Sequence, residues 1–295
     1  MVTAFVLSGG GSLGAVQVGA VQALSERGIH PDLLIGTSAG SLNAAFIAGR
    51  GDGAAALEEL GSLWVGLRRK DVFPIRPAGA IRAAMGRSSA LCPSEPLERM
   101  LTERLAFARL EDALIPLHVV TADVLSGCEV VLTEGPTGDA LVASCAIPGI
   151  FPAVHRTGRL LCDGAFAQHS GIAQAVSLGA DLVYLLPGGT SCAIVTAPRH
   201  PVAAALHAVT LLLQQRALLE TQLYSSEVDL RVIPPLCPLA VSSADFSQAS
   251  LLISRAHRAA GEWLDSDSDR LPHPERFLSL HSHPREEGHE PLSVE

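Results

Sequence analysis

The sequence predicts an α/β protein built on a mainly parallel sheet with helices on both faces. Three observations carry that expectation. Short apolar runs of strand length recur along the chain, and most are followed by a stretch with helical apolar spacing, the alternation that βαβ units produce. Two strand-to-helix junctions are glycine-rich, Gly9-Gly10-Gly11-Ser12-Leu13-Gly14 and Gly36-Thr37-Ser38-Ala39-Gly40. With 295 residues, 48% of them hydrophobic and 17% charged, the chain can bury a sizeable core.

Taken in order, residues 4–7 read as a strand, the first glycine cluster as a tight loop, and 15–24 as a helix. Residues 33–35 form a second strand, Gly36 to Gly40 a turn, and a second helix ends near Gly49. A helix over 53–67 follows. The Pro, Arg and Gly content of 68–93 marks a surface loop or cap, with a weak helix around Ile81. Ser94 is a suitable N-cap for a helix whose apolar stripe is Leu97, Met100, Leu101 and Leu105. Residues 116–124 and 128–133 read as a hairpin around Leu125-Ser126-Gly127. A short helix over 139–146 stops at Pro148, and a strand near 160–162 leads into Asp163-Gly164-Ala165. Helix 171–178, strand 182–186, a long helix over 201–225, strand 228–233 and helix 247–264 complete the domain, 1–264. Beyond Leu264 the composition turns to Ser, Asp, His, Pro and Glu. Such a segment buries too little apolar surface to order itself, so 265–295 reads as an acidic, disordered tail.

Net charge is −9, and the 35 residues from Gly261 onward hold nine acidic residues against three arginines. No basic patch supplies the electrostatic footprint of a nucleic-acid binder. The six cysteines show neither CxxC spacing nor the His/Cys pairing of zinc sites. They read as small buried hydrophobes in a reducing compartment, with no metal and no cofactor expected. The opening MVTAFVLSGGG has no positively charged region ahead of its apolar run, so it does not read as a signal peptide. No uncharged apolar run reaches ~18 residues, despite a mean hydropathy of +0.32. A cytoplasmic protein is the expectation, peripheral at a membrane at most.

Three motifs carry chemistry. The loop at Gly9 to Gly14 leaves backbone N–H groups at a helix N-terminus, which suits a diphosphate or a developing oxyanion. A dinucleotide-binding turn would also require an acidic residue after the second strand; Asp32 precedes it instead. The second motif, GxSxG with Gly36 and Gly40 around Ser38, permits the sharp turn that exposes a serine Oγ at a helix start. The third is Asp163-Gly164-Ala165, a carboxylate among small residues after a short strand. The order of oxyanion loop, nucleophile elbow and aspartate is far more specific than any one member.

On these residues, together with Ala143-Ser-Cys-Ala-Ile-Pro-Gly-Ile-Phe-Pro-Ala-Val154, the chain resembles the bacterial patatin-like phospholipases, serine lipid acyl hydrolases, over about residues 4–190. The resemblance implies a three-layer α/β/α fold and a Ser–Asp dyad. It carries the nucleophile to Ser38, the proton acceptor to Asp163, and the oxyanion hole to the Gly9, Gly10, Gly11, Ser12 and Gly14 loop. It implies a lipid or acyl-ester substrate. The helix over 201–225 could give transient contact with a membrane surface or another subunit, but with one Arg and no basic stripe it reads first as a core helix. The chain departs from the family at Leu13, where a basic residue is usual, and at Ala167-Gln168-His169-Ser170-Gly171, where Asn and Pro are frequent. Two other readings remain open on the residues alone. One is an α/β-hydrolase triad completed by His169, His200 or His207; the other is a nucleotide-binding Rossmann protein without hydrolase activity.

Overall fold

The computed structural model describes residues 1–74, 79, 81, 85–167, 171–194, 196–281 and 283. Its elements are β1 (Thr3–Leu7), α1 (Ala15–Ser25) after a single 3-10 turn Gly11–Gly14, β2 (Leu33–Thr37), α2 (Ala39–Arg50), α3 (Ala54–Gly66), α4 (Arg69–Val72) and α5 (Glu95–Arg104). Then come β3 (Leu117–Asp123), β4 (Glu129–Leu132), α6 (Thr137–Ser144), β5 (Val154–Arg156), β6 (Arg159–Asp163), α7 (Ile172–Ser177), β7 (Leu182–Leu186), α8 (Pro201–Tyr224), β8 (Asp229–Val232) and α9 (Ala249–Asp265). The expected helix around Ile81 falls mostly outside the described residues. Ser94 precedes α5 as expected, but its hydroxyl donates to Glu98 Oε1 (2.6 Å) instead of capping a backbone amide.

The sheet runs β5-β6-β3-β2-β1-β7-β8, with β4 also paired to β3. The β7-β1-β2-β3 centre and the β7–β8 pair are parallel, whereas β4, β5 and β6 join antiparallel. Side chains of β1 alternate between two cores, Phe5 and Leu7 on one face and Ala4 and Val6 on the other. The first face is covered by α1, α2, α3 and α9, and the second by α7 and part of α8. These are the three layers, and the period-2 alternation of a strand buried on both faces produces them.

One register detail positions the site. β2 pairs with β3 up to Thr37↔Val120, and β6, running the other way, pairs from Thr121↔Asp163. Since β4 takes the opposite edge of β3 across Val119–Ala122, β2 and β6 meet end to end on one edge. Ser38, just past β2, and Asp163, the last residue of β6, are therefore brought together by sheet geometry alone.

α8 is long and apolar enough, by length and composition, to cross a membrane. One side of it is built into the protein through Val202, Leu206, Leu213 and Ala217, while Leu212, Leu219 and Leu223 are exposed on the other. The end of the ordered domain differs from the expectation of Leu264. After α9 the chain turns through Ser268–Arg270 and Pro274–Phe277 and returns to the sheet. There Leu278 is completely buried in the second core. Gln214 Nε2 donates to its carbonyl (2.9 Å), Asp269 pairs with Arg231 (2.5 Å), and Phe277 meets Trp263 edge-on at 6.3 Å. A polar average hid the few apolar residues that anchor this segment.

Candidate active site

The elbow around Ser38 is dictated by what surrounds its two glycines. A Cβ on Gly36 would lie 2.5 Å from Ser41 Cα, and one on Gly40 would lie 2.2 Å from the Leu7 carbonyl oxygen. Helix α2 can begin this close to β1 and β2 only without those side chains. The turn leaves Ser38 at φ 53° and ψ −127°, a region that costs a non-glycine residue free energy and persists where surroundings hold it. The surroundings do hold it. Ser38 N–H donates to Ser144 Oγ (2.9 Å), Ser144 Oγ–H to the Val120 carbonyl (2.7 Å), and Ser41 Oγ–H to the Ser38 carbonyl (2.6 Å).

Ser38 Oγ–H donates to Asp163 Oδ2 at 2.7 Å, with both residues buried. The other oxygen, Oδ1, accepts from Ala165 N–H at 2.8 Å, so the carboxylate is fixed in orientation. Gly164 follows Asp163 because a Cβ there would sit 2.3 Å from the Val120 carbonyl. Arg216, from α8, donates to the carbonyls of Gly164 and Ala165 and clamps the same turn. Burial raises the Asp163 pKa from the ordinary 3.8 to about 7, against the pull of the Ser38 and Ala165 hydrogen bonds and the Arg216 charge. A carboxyl group with that pKa is a competent base near neutrality. Burial first and the Asp163 charge second push the thiol pKa of the buried Cys145 far up, so it stays a thiol beside Ser38.

The glycine loop lies against this pair. A Cβ on Gly9 would be 3.1 Å from Ser38 Cβ, and one on Gly10 would be 3.1 Å from Gly188 Cα. Gly11 has φ +58°, and any side chain there would meet the Ser243 carbonyl at 2.5 Å. Among the described residues the amides of Gly9, Gly10 and Gly11 have no acceptor. Ser12 differs from the expectation. Its N–H donates to the Ser243 carbonyl (2.8 Å) and its hydroxyl to the Ser242 carbonyl (3.1 Å), so it anchors the loop and has no amide to offer. Gly14 lies under Trp64, whose ring would be 2.9 Å from a Cβ.

Several contributors carried no motif. A buried chain runs from Trp64 Nε1 to Asn43 Oδ1 (2.7 Å), from Asn43 Nδ2 to Gln17 Oε1 (2.8 Å) and to the Gly14 carbonyl (2.9 Å). Gln17 Nε2 continues it to the Ser8 carbonyl (2.7 Å) and the Leu186 carbonyl (2.9 Å). It ties both ends of the glycine loop to β7, and its only sequence signal was the presence of Gln and Asn on otherwise apolar helices. Above Ser38 lies an apolar cavity of about 50 Å³, lined by Leu42, Trp64, Phe73, Phe151 and Phe246 among others. Leu42, Trp64, Leu67 and Met100 separate it from a groove of about 440 Å³ between α2, α3 and α5.

Two of the histidines of the triad reading are among the described residues. His200 caps α8, its Nδ1 accepting from Val202 N–H (3.3 Å), and the buried His207 Nδ1 has no partner among the described residues. His169 lies outside the described residues. Among those described, no histidine is hydrogen-bonded to Ser38 or Asp163. Asp32, the acid that a dinucleotide site would have needed elsewhere, accepts from Thr3 N–H (2.8 Å) and secures β1.

Lysophospholipase NTE1 of Pyricularia oryzae (strain 70-15 / ATCC MYA-4617 / FGSC 8958) is 26% identical over 188 residues, 63% of this chain and 12% of that protein. An uncharacterised NTE family protein of Mycobacterium tuberculosis (strain ATCC 25618 / H37Rv) is 29% identical over 184 residues, 61% of this chain and 47% of its own. The chain thus spans about half or less of these relatives' length. The crystal structure of VipD from Legionella pneumophila aligns with a TM-score of 0.46 at 16% identity, covering 90% of this chain and 67% of that one. The patatin-like phospholipase family model matches residues 5–176, more than half of the chain, from within β1 past the aspartate turn. By that match, the chain belongs to the patatin-like phospholipase family.

Proposed function

We propose that the protein hydrolyses carboxylic esters of lipids with Ser38 as nucleophile and Asp163 as the sole general base. The observation that carries this is the buried 2.7 Å hydrogen bond from Ser38 Oγ to Asp163 Oδ2. Asp163 takes the hydroxyl proton as Oγ attacks the ester carbonyl, forming the C–O bond of a tetrahedral intermediate. The free amides of the Gly9–Gly11 loop receive the oxyanion, in a site that excludes water and so strengthens each contact. Collapse returns the proton to the departing alcohol and leaves an acyl-Ser38. Asp163 then activates a water that releases the fatty acid.

The cavity above Ser38 takes the start of the acyl chain, and the wall of Leu42, Trp64, Leu67 and Met100 opens toward the larger groove for longer chains. Lipid as substrate and a transient docking of the exposed Leu212, Leu219 and Leu223 side of α8 on a membrane belong to the same reading. A series of p-nitrophenyl esters run beside phospholipids and lysophospholipids tests it. From acetate upward, kcat/KM rises by as much as roughly fourfold per methylene buried, from about 0.8 kcal/mol each. A preference for acetate that falls steadily with chain length contradicts the acyl-site reading.

A further inference from the structure

Cys192, Cys237, His281 and His283 converge on one point, with their four donor atoms all within 4.8 Å of one another. Cys192 follows β7 in the loop that begins at Gly188, Cys237 lies in the loop after β8, and the two histidines end the returning C-terminal segment. From Cys237 Sγ, His281 Nε2 is 3.0 Å away and His283 Nε2 is 3.2 Å away. We propose that these four residues bind a zinc ion as a closed, tetrahedral structural site.

The donor chemistry selects the ion. Two thiolates and two imidazoles are the borderline-soft set that zinc takes in four-coordinate structural sites. The four donor groups offer no oxygen ligand to cations such as Ca²⁺ and Mg²⁺. The groups around the donors are already arranged for metal. His281 Nδ1 is 3.0 Å from the Ser279 carbonyl; the N–H it donates there fixes the tautomer and leaves the Nε2 lone pair aimed at the cluster. The Leu239 N–H donates to Cys192 Sγ at 3.4 Å, a contact that favours a thiolate. The two imidazole rings meet edge to face at 5.0 Å, so both nitrogens approach Cys237 without the rings clashing. Binding is Zn²⁺ plus two Cys–SH and two neutral His giving the Zn–S₂N₂ centre and two protons, with no change of oxidation state.

The site joins three separate stretches of chain, which is why no local spacing revealed it and the expectation of no metal arose. It is also a staple for the active site at one remove. Ala193 N–H bonds the Leu239 carbonyl (2.9 Å) and Ser191 Oγ–H the Val241 carbonyl (2.5 Å), between the loops that carry Cys192 and Cys237. Those loops supply Gly188 and Ser243, on which Gly10 and Ser12 rest.

Full-length protein purified under reducing conditions from zinc-supplemented cells, without chelator, is expected to hold one zinc per chain by plasma mass spectrometry. Exchange with Co²⁺ gives the intense d–d bands of a tetrahedral site and a thiolate-to-cobalt charge-transfer band. Cys237→Ser and the double variant His281→Ala/His283→Ala lose at least tenfold in Co²⁺ affinity, and chelation of the wild type lowers Tm reversibly. The wild-type cobalt spectrum decides the matter even where a variant fails to fold. Zinc-free wild type without a thiolate band on Co²⁺ addition overturns the proposal, as does undiminished metal binding in both variants. So does a Cys192–Cys237 disulfide found in metal-free protein by non-reducing peptide mass spectrometry.

Discussion

Asp163→Asn lowers kcat by about 10⁴-fold, the scale seen when the carboxylate of a serine hydrolase is made neutral without change of shape. The amide still fills the site, but it cannot take the proton of Ser38 Oγ across the 2.7 Å bond. The remaining activity is what the glycine loop and the apolar cavity supply unaided. The pH dependence has a definite sign. Only the ionised carboxyl is a base, so wild-type kcat/KM rises on the acid side with a midpoint near the pKa of about 7 and levels above it. Stability moves oppositely. The folded protein holds this proton until about pH 7, whereas an unfolded aspartate releases it near 3.8. The stabilising contribution is complete below pH 4 and is lost as pH rises through 7. Asp163→Asn removes that loss, so it raises Tm at pH 8 and changes it little at pH 4. About 1 kcal/mol corresponds to ~2–4 °C in a domain of this size, which a thermal melt at the two pH values resolves.

Gly10→Val lowers kcat by ~10²–10³, the cost of losing an oxyanion donor. A Cβ at this position meets Gly188 Cα at 3.1 Å, and the branches of valine press further into that backbone. The loop must shift, and its unpaired amides shift with it. The acyl cavity is untouched, so KM stays within about threefold; overpacking costs ~1–3 kcal/mol of stability. A kcat within threefold of wild type removes Gly10 from the oxyanion role.

The fold was largely legible because strand and helix periods differ so clearly in this apolar chain. β7 lies where its run of Leu and Val places it, and α8 where its apolar spacing does. The antiparallel entry of β6 was not legible, since register is set by pairing across the sheet and leaves no local pattern. Yet that entry brings Asp163 to Ser38. Ser38, Gly36 and Gly40 were readable from spacing because steric exclusion at a tight elbow writes itself into sequence. Ser12 was misjudged for the opposite reason. Which amides of a loop stay free depends on Ser243, far along the chain, and no motif carries that. Gln17, Asn43, Ser144 and Arg216 stayed invisible likewise, as polar residues whose partners are distant in sequence. The turn past α9 was lost in an acidic average, although the completely buried Leu278, Phe277 against Trp263 and the Asp269–Arg231 pair fasten it to the domain.

The central claim is that a serine and an aspartate suffice. Its most direct test is active-site labelling with a fluorophosphonate, followed by peptide mass spectrometry, on the wild type, Ser38→Ala, Asp163→Asn and the alanine variants of His169, His200 and His207. One adduct is expected, on Ser38, absent in Ser38→Ala, slowed by orders of magnitude in Asp163→Asn and formed at near wild-type rates in all three histidine variants. An adduct on another serine, or a histidine variant as slow as Asp163→Asn, contradicts it.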